Sequence, residues 1–218
     1  MRQKNSNRHI LQKGKKSLFI FGSTGTATEI KELVETFYSD MYSKVLLVWY
    51  KENWHLDSEC AKLLKESECF AIIGFVDYAM RKDCASSIME LGIEFINVIH
   101  PSVVVANSAK LGKGIYIAAN STISSNAELQ DNIIINYNVS IGHDAILQSH
   151  CTVLPGARIS GAVNLGLGVL IGSNAFVFQG VSIGSNTAID ALTYIRKDVE
   201  ENMLVTVRGN RKYKKAEC

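Results

Sequence analysis

The chain has 218 residues, 47% hydrophobic, 8% aromatic and 20% charged, with 16 Gly and two Pro, which excludes collagen-like and Pro-rich disordered sequences. No run approaches the ~18 consecutive apolar residues of a membrane helix, and Leu18-Phe19-Ile20-Phe21 is too short for a signal-peptide core. The net charge of +2 conceals six Lys/Arg in residues 1–16 and five in 208–218 around a body of 12 basic and 20 acidic residues, a footprint of solvated basic ends rather than of a nucleic-acid face.

In chain order, residues 18–22 form a short apolar strand that runs into the turn Gly22-Ser23-Thr24-Gly25 and then a helical stretch over 27–42. A second strand covers 45–49, a helix 60–66, a third strand 71–74, a helix 80–91 and a short strand 94–98. Strands alternating with helices predict a small parallel sheet covered on both faces, an α/β front domain. His100-Pro101 marks the boundary, because the residue before Pro favours an extended backbone. The five cysteines, Cys60, Cys69, Cys84, Cys151 and Cys218, form no CxxC pair and are odd in number, as expected of reduced thiols in a cytoplasmic protein.

Beyond the boundary every sixth residue from Val105 to Ile195 is Val, Leu or Ile, sixteen in succession. Four residues after each stands a small or β-branched side chain, as at Ala109, Ser121, Ala127, Val139, Ala145, Cys151 and Ala157. Neither a 3.6-residue helix nor simple strand alternation has this period. A parallel β-helix does, with one flat strand and one corner per hexad and three hexads per coil. Residues 105–194 make five coils of 18, a column roughly 24 Å tall at ~4.8 Å per rung. This stretch holds 10 of the 16 Gly and only seven charged residues.

The hexads together with Phe21-Gly22-Ser23-Thr24-Gly25, Ile73-Gly74, Val98-Ile99-His100-Pro101-Ser102, Ile141-Gly142-His143-Asp144 and Val153-Leu154-Pro155-Gly156-Ala157 resemble one family. It is the sialic-acid O-acetyltransferase and bacillosamine-pathway UDP-amino-sugar N-acetyltransferase group of the hexapeptide-repeat acyltransferases. The resemblance implies a left-handed β-helix, a homotrimer with active sites between subunits, and acetyl-CoA as donor with no metal. It divides the chain into a basic N-terminal segment 1–16, a Rossmann-like sugar-nucleotide-binding domain 17–98, a β-helix acyltransferase domain 99–207 and a basic tail 208–218. The function implied is acetylation of the amino group of a nucleotide-linked amino sugar for surface-glycan biosynthesis.

Acetyl transfer needs a base, and His near its natural pKa suits the task. His143 stands at an outward corner place, where a solvated His is by itself unremarkable; the resemblance makes it the base, oriented by Asp144. One coil onward is Gly161, either an ordinary corner glycine or a residue that lets the thioester approach and donates its N–H to the oxyanion. Asn136 either orients substrate, as the family's Asn does, or belongs to a structural corner ladder. The coenzyme is expected along Pro155, Ser173 and Ala191, spaced by 18, with Thr152 where many relatives carry a donor-binding His. Basic residues of the tail, Arg208, Arg211, Lys212, Lys214 and Lys215, either meet the coenzyme's phosphates or are simply solvated. By resemblance the nucleotide site is Thr24, Gly25, Thr26, Tyr50, Lys51 and Gly74, with phosphate at the helix N-terminus.

Three other readings compete. O-acetylation of a sugar or sialic acid uses the same base. A gamma-class carbonic anhydrase needs three converging His, whereas only His143 and His150 fall in the repeats, on different columns. A non-catalytic trimeric module would only sense a nucleotide. His150 reads as a surface residue and His100 as part of the domain junction.

Overall fold

The computed structural model describes residues 16–22, 25–50 and 58–207 and the backbone of 212–214. The front part consists of β1 (Lys16–Phe21), α1 (Thr26–Phe37), β2 (Lys44–Val48), α2 (Ser58–Glu66), β3 (Glu68–Ile73), α3 (Tyr78–Glu90) and β4 (Glu94–Phe95). Its four strands are parallel in the order β2-β1-β3-β4. β1 is central and buried on both sides, which explains its unbroken apolar run. Ile30, Leu33 and Val34 of α1 cover one face; Cys60 and Leu63 of α2 with Cys84, Ala85 and Ile88 of α3 cover the other. α1 stops at Phe37, short of the predicted 42, because Tyr38 leaves helical geometry at φ −130° and its hydroxyl donates to the Ile99 carbonyl at 2.6 Å.

From Val98 onward two-residue strands recur every six residues and stack into three parallel sheets, the faces of a left-handed β-helix. Each residue pairs with those 18 before and after it, as Thr152 does with Ile134 and Leu170. Face 1 contains Tyr116–Ile117, Ile134–Ile135, Thr152–Val153 and their continuations; face 2 contains Ser140–Ile141 and Arg158–Ile159; face 3 contains Ile146–Leu147 and Asn164–Leu165. The second residue of each strand points inward, and Ile117 through Val177 along the sixfold column are almost fully buried.

A second column, not anticipated, turns the corners. Gly114, Asn120, Asn126, Asn132, Asn138, Asp144, His150, Gly156, Ala162, Gly168, Asn174, Gly180, Asn186 and Leu192 all have φ between +54° and +75°. Gly and Asn take this left-handed backbone at least cost, which accounts for their recurrence six apart.

The predicted strand 94–98 is two elements. Glu94–Phe95 extends the front sheet, whereas Val98–Ile99 pairs with Tyr116–Ile117 as the first rung of face 1. The β-helix thus starts just ahead of His100-Pro101 and runs past the five predicted coils, face 1 continuing to Met203–Val205. Lys212–Lys214 adds an antiparallel strand beside it, where a loose tail was expected.

Face 1 carries the front domain. Its outward residues Val98, Tyr116 and Ile134 are buried against Leu18, Ile20, Ile30 and Ile72. From α3, the fully buried Arg81 donates to Thr152 Oγ1 and to the carbonyls of Asn132 and Cys151. Faces 2 and 3 and the corner between them are left uncovered by it. Among the described residues no helix is long and apolar enough to cross a membrane.

Candidate active site

His143 and Asp144 occupy the corner between faces 2 and 3. Asp144 takes the left-handed position at φ 57°, which turns its side chain along the corner. There Asp144 Oδ2 lies 2.7 Å from His143 Nδ1, while Oδ1 accepts a hydrogen bond from Asn126 Nδ2 at 3.1 Å. These hydrogen bonds, the one from His143 foremost, hold the Asp144 carboxyl below its usual range. More than half of each side chain of the pair is exposed, so a substrate can reach it.

Gly161 lies one coil onward, directly under the imidazole. A Cβ built there would stand 2.5 Å from His143 Nε2 and 2.6 Å from Cε1, so the ring can lie flat over this position only because it is glycine. Gly142 likewise admits the Gly161 amide. At the same hexad place, the N–H groups of Lys113, Ser149 and Leu167 are capped by Asp131, Gln130 and Ser185. Among the described residues nothing caps the N–H of Gly161. The corner therefore offers a basic ring nitrogen and an open backbone donor on adjacent coils, the two groups that acyl transfer requires.

The other expected site residues lie elsewhere on the chain. Asn136 is on the corner between faces 1 and 2, nearly buried, with Oδ1 accepting from the Tyr137 N–H at 2.8 Å. Pro155, Ser173 and Ala191 follow on that corner, and the Ala191 N–H is already bonded to Asp190 Oδ1 at 2.8 Å. Thr152 does not face a donor site in this chain: it is 1% exposed and its hydroxyl accepts from Arg81. His150, expected at the surface, is half-buried. It lies against Tyr78 at 6.1 Å with its Nδ1 buried and unbonded, and burial, reinforced by Arg81, pushes its pKa down to about 4. His100 does sit at the junction, edge-on to Phe37 of α1 and 2.8 Å from Ser102 Oγ.

The front domain has its own crevice. The order β2-β1-β3-β4 reverses direction between β1 and β3, and in open α/β sheets ligands bind at the carboxyl ends beside such a switch point. Gly22 and Gly74 end those two strands, and a Cβ on Gly74 would come within 2.5 Å of the Ala27 Cα, so the glycine lets α1 start against the sheet. Gly25 at φ 56° begins α1 with no side-chain cap, leaving first-turn N–H groups available beside Thr26. Tyr50 instead turns into the core, its hydroxyl donating to Asp83 and its ring stacked on Phe75. Thr24 and Lys51 lie outside the described residues, as do Arg208, Arg211 and Lys215.

Sequence reasoning missed two residues that shape these sites. Asn126 was readable by stepping 18 residues back from Asp144, as Gly161 is by stepping forward from His143. Arg81 gives no local signal, since its partners are 51 to 71 residues away.

No protein-family model matches the chain. It is 27% identical over 172 residues to the GDP-perosamine N-acetyltransferase of Escherichia coli O157:H7, covering 75% of this chain and 78% of that one. Among solved structures, the acetyltransferase domain of PglB from Neisseria gonorrhoeae FA1090 superposes with a TM-score of 0.79 at 22% identity, covering 90% of this chain and 99% of that one. PerB from Caulobacter crescentus, solved with CoA and GDP-perosamine, also gives 0.79, at 24% identity over 90% and 97% of the two chains. These likenesses establish the architecture of a small α/β domain followed by a left-handed β-helix.

Proposed function

We propose, from the premise that the chain is a homologue of the hexapeptide-repeat sugar N-acetyltransferases, that it moves the acetyl group of acetyl-CoA to the amino group of a nucleotide-linked amino sugar. The observation that carries this reading is the carboxylate-tethered imidazole lying over Gly161. Nδ1–H donates to Asp144, which leaves the Nε2 lone pair free as a base. As the amine nitrogen attacks the thioester carbon, a C–N bond forms and Nε2 takes the amine proton. The carbonyl electron pair moves onto oxygen, where the Gly161 N–H stabilises it. On collapse the C–S bond breaks and the imidazolium returns the proton to the departing sulfur.

We assign residues 17–98 to holding the nucleotide and 99–207 to the transfer. The phosphates would meet the first turn of α1 at Gly25 and Thr26 and the glycine at 74. His143 occupies one corner of the prism, and Asn136, Ser173 and Ala191 another. Residues on separate corners of one prism meet when a second copy brings its corner alongside, which supports a homotrimer with sites between chains. Among the described residues Cys69, Cys84 and Cys151 are free thiols, which suits a reducing cytoplasm. The reading is tested by following thiol release from acetyl-CoA with a panel of nucleotide amino sugars. Turnover by the wild type and its loss in His143→Ala at unchanged oligomer mass are expected; equal turnover by both proteins refutes the role of His143.

A further inference from the structure

We infer that Asn126 is a positioning residue for the His143–Asp144 pair, clamping the carboxylate from the preceding coil so that the imidazole keeps one orientation. The inference deepens the acetyl-transfer reading and rests on it. His143 and Asp144 are 58% and 53% exposed, and an exposed pair held by one hydrogen bond is weakly ordered. Here the carboxylate is gripped at both oxygens, Oδ2 by His143 at 2.7 Å and Oδ1 by Asn126 at 3.1 Å.

Asn126 is itself held, its N–H donating at 3.0 Å to the hydroxyl of Ser108 one coil earlier. On the other side of Asp144 the same column continues as Ala162 and Gly180, which carry no polar side-chain atoms. Among the described residues the grip therefore comes from the Asn126 side alone, and the strip beyond carries no polar side chain over Gly161. An amide NH2 donates and never accepts. It thus selects the ionised form of Asp144, which in turn draws the His143 proton to Nδ1 and leaves Nε2 unprotonated toward Gly161. Other corner asparagines, such as Asn120 and Asn138, share the left-handed backbone, so the corner alone accounts for an Asn at 126. It does not account for a side chain that reaches the next coil's carboxylate.

Two substitutions separate these roles, because both tolerate φ 57°. Asn126→Gly removes the amide; Asn126→Asp keeps its shape and sets a second carboxylate beside the first. With five His in the chain, the titration of the His143 ring is resolvable by NMR on the intact protein and assignable with His143→Gln. The clamp predicts a midpoint about half a pH unit or more higher in Asn126→Asp, and a lower one in Asn126→Gly as Asp144 swings away. It also predicts a kcat roughly tenfold lower in Asn126→Gly with an unchanged KM for acetyl-CoA. Identical His143 midpoints in all three proteins overturn the inference. The midpoints need no turnover, so the clamp is decided separately from the base, whose own control is the activity of His143→Gln.

Discussion

A methyl group at position 161 would approach His143 Nε2 to 2.5 Å, closer than real carbon and nitrogen atoms come, and the ring would have to swing off the neighbouring coil. Gly161 lies outside the left-handed region, so its backbone accepts alanine. Gly161→Ala is therefore predicted to cut kcat by roughly 100-fold through misplacement of the candidate base His143, with a melting temperature close to that of the wild type. A full retention of kcat would show that the ring need not lie there. His150 makes a different prediction. Its pKa is depressed from 6.5 to about 4 in the folded state, so the unfolded chain binds the proton first as pH falls. The stability concerned is complete above pH 6.5 and is lost progressively down to about pH 4. Solvent reaches part of the ring, so the loss is at most about 2 kcal/mol. His150→Asn, which suits the φ of 63°, should flatten this part of the stability curve in urea titrations at successive pH values. The hexad spacing made the register of Gly161 with His143 legible, one coil apart, whereas the roles expected of His143 and Asp144 came from the family resemblance and not from the spacing. Thr152 was misread because its neighbour comes from a helix far away in sequence.

Among the elements, α3 carries the most consequential long-range contact. Arg81 is fully buried, its pKa drawn down to about 10 by desolvation, and it satisfies three oxygens on face 1. Removing one partner of a buried polar set leaves the others desolvated and unbonded. Arg81→Ala should destabilise the protein by about 3 kcal/mol and lower the melting temperature by roughly 10 °C for a chain of this length. An unchanged melting temperature would show that the junction is held by apolar contact alone. The front elements were legible in kind, since apolar runs and helical spacing mark each of them. Their ends were not, because Tyr38 leaves α1 for a tertiary bond to Ile99 and residues 94–98 divide between two sheets.

At the scale of the whole molecule, the hexad period accounts for the low charge of the second half, where each coil spends its inward positions on aliphatic side chains. It also leaves the candidate base and the expected coenzyme line on different corners of one prism. The sequence period determines those corners, yet it does not say which face the front domain covers; that is fixed by Tyr116, Ile134 and Arg81, whose burial has no signature in the repeat. Sedimentation should give three times the 24.0 kDa chain mass; a monomer retaining full activity would contradict a site shared between copies. The most direct test of acetyl transfer itself is the mass of the acceptor after incubation with acetyl-CoA. The account predicts that a nucleotide-linked amino sugar gains one acetyl group on nitrogen with the wild type and none with His143→Ala. No acetylated product from any nucleotide amino sugar, with acetyl-CoA left intact, would contradict it.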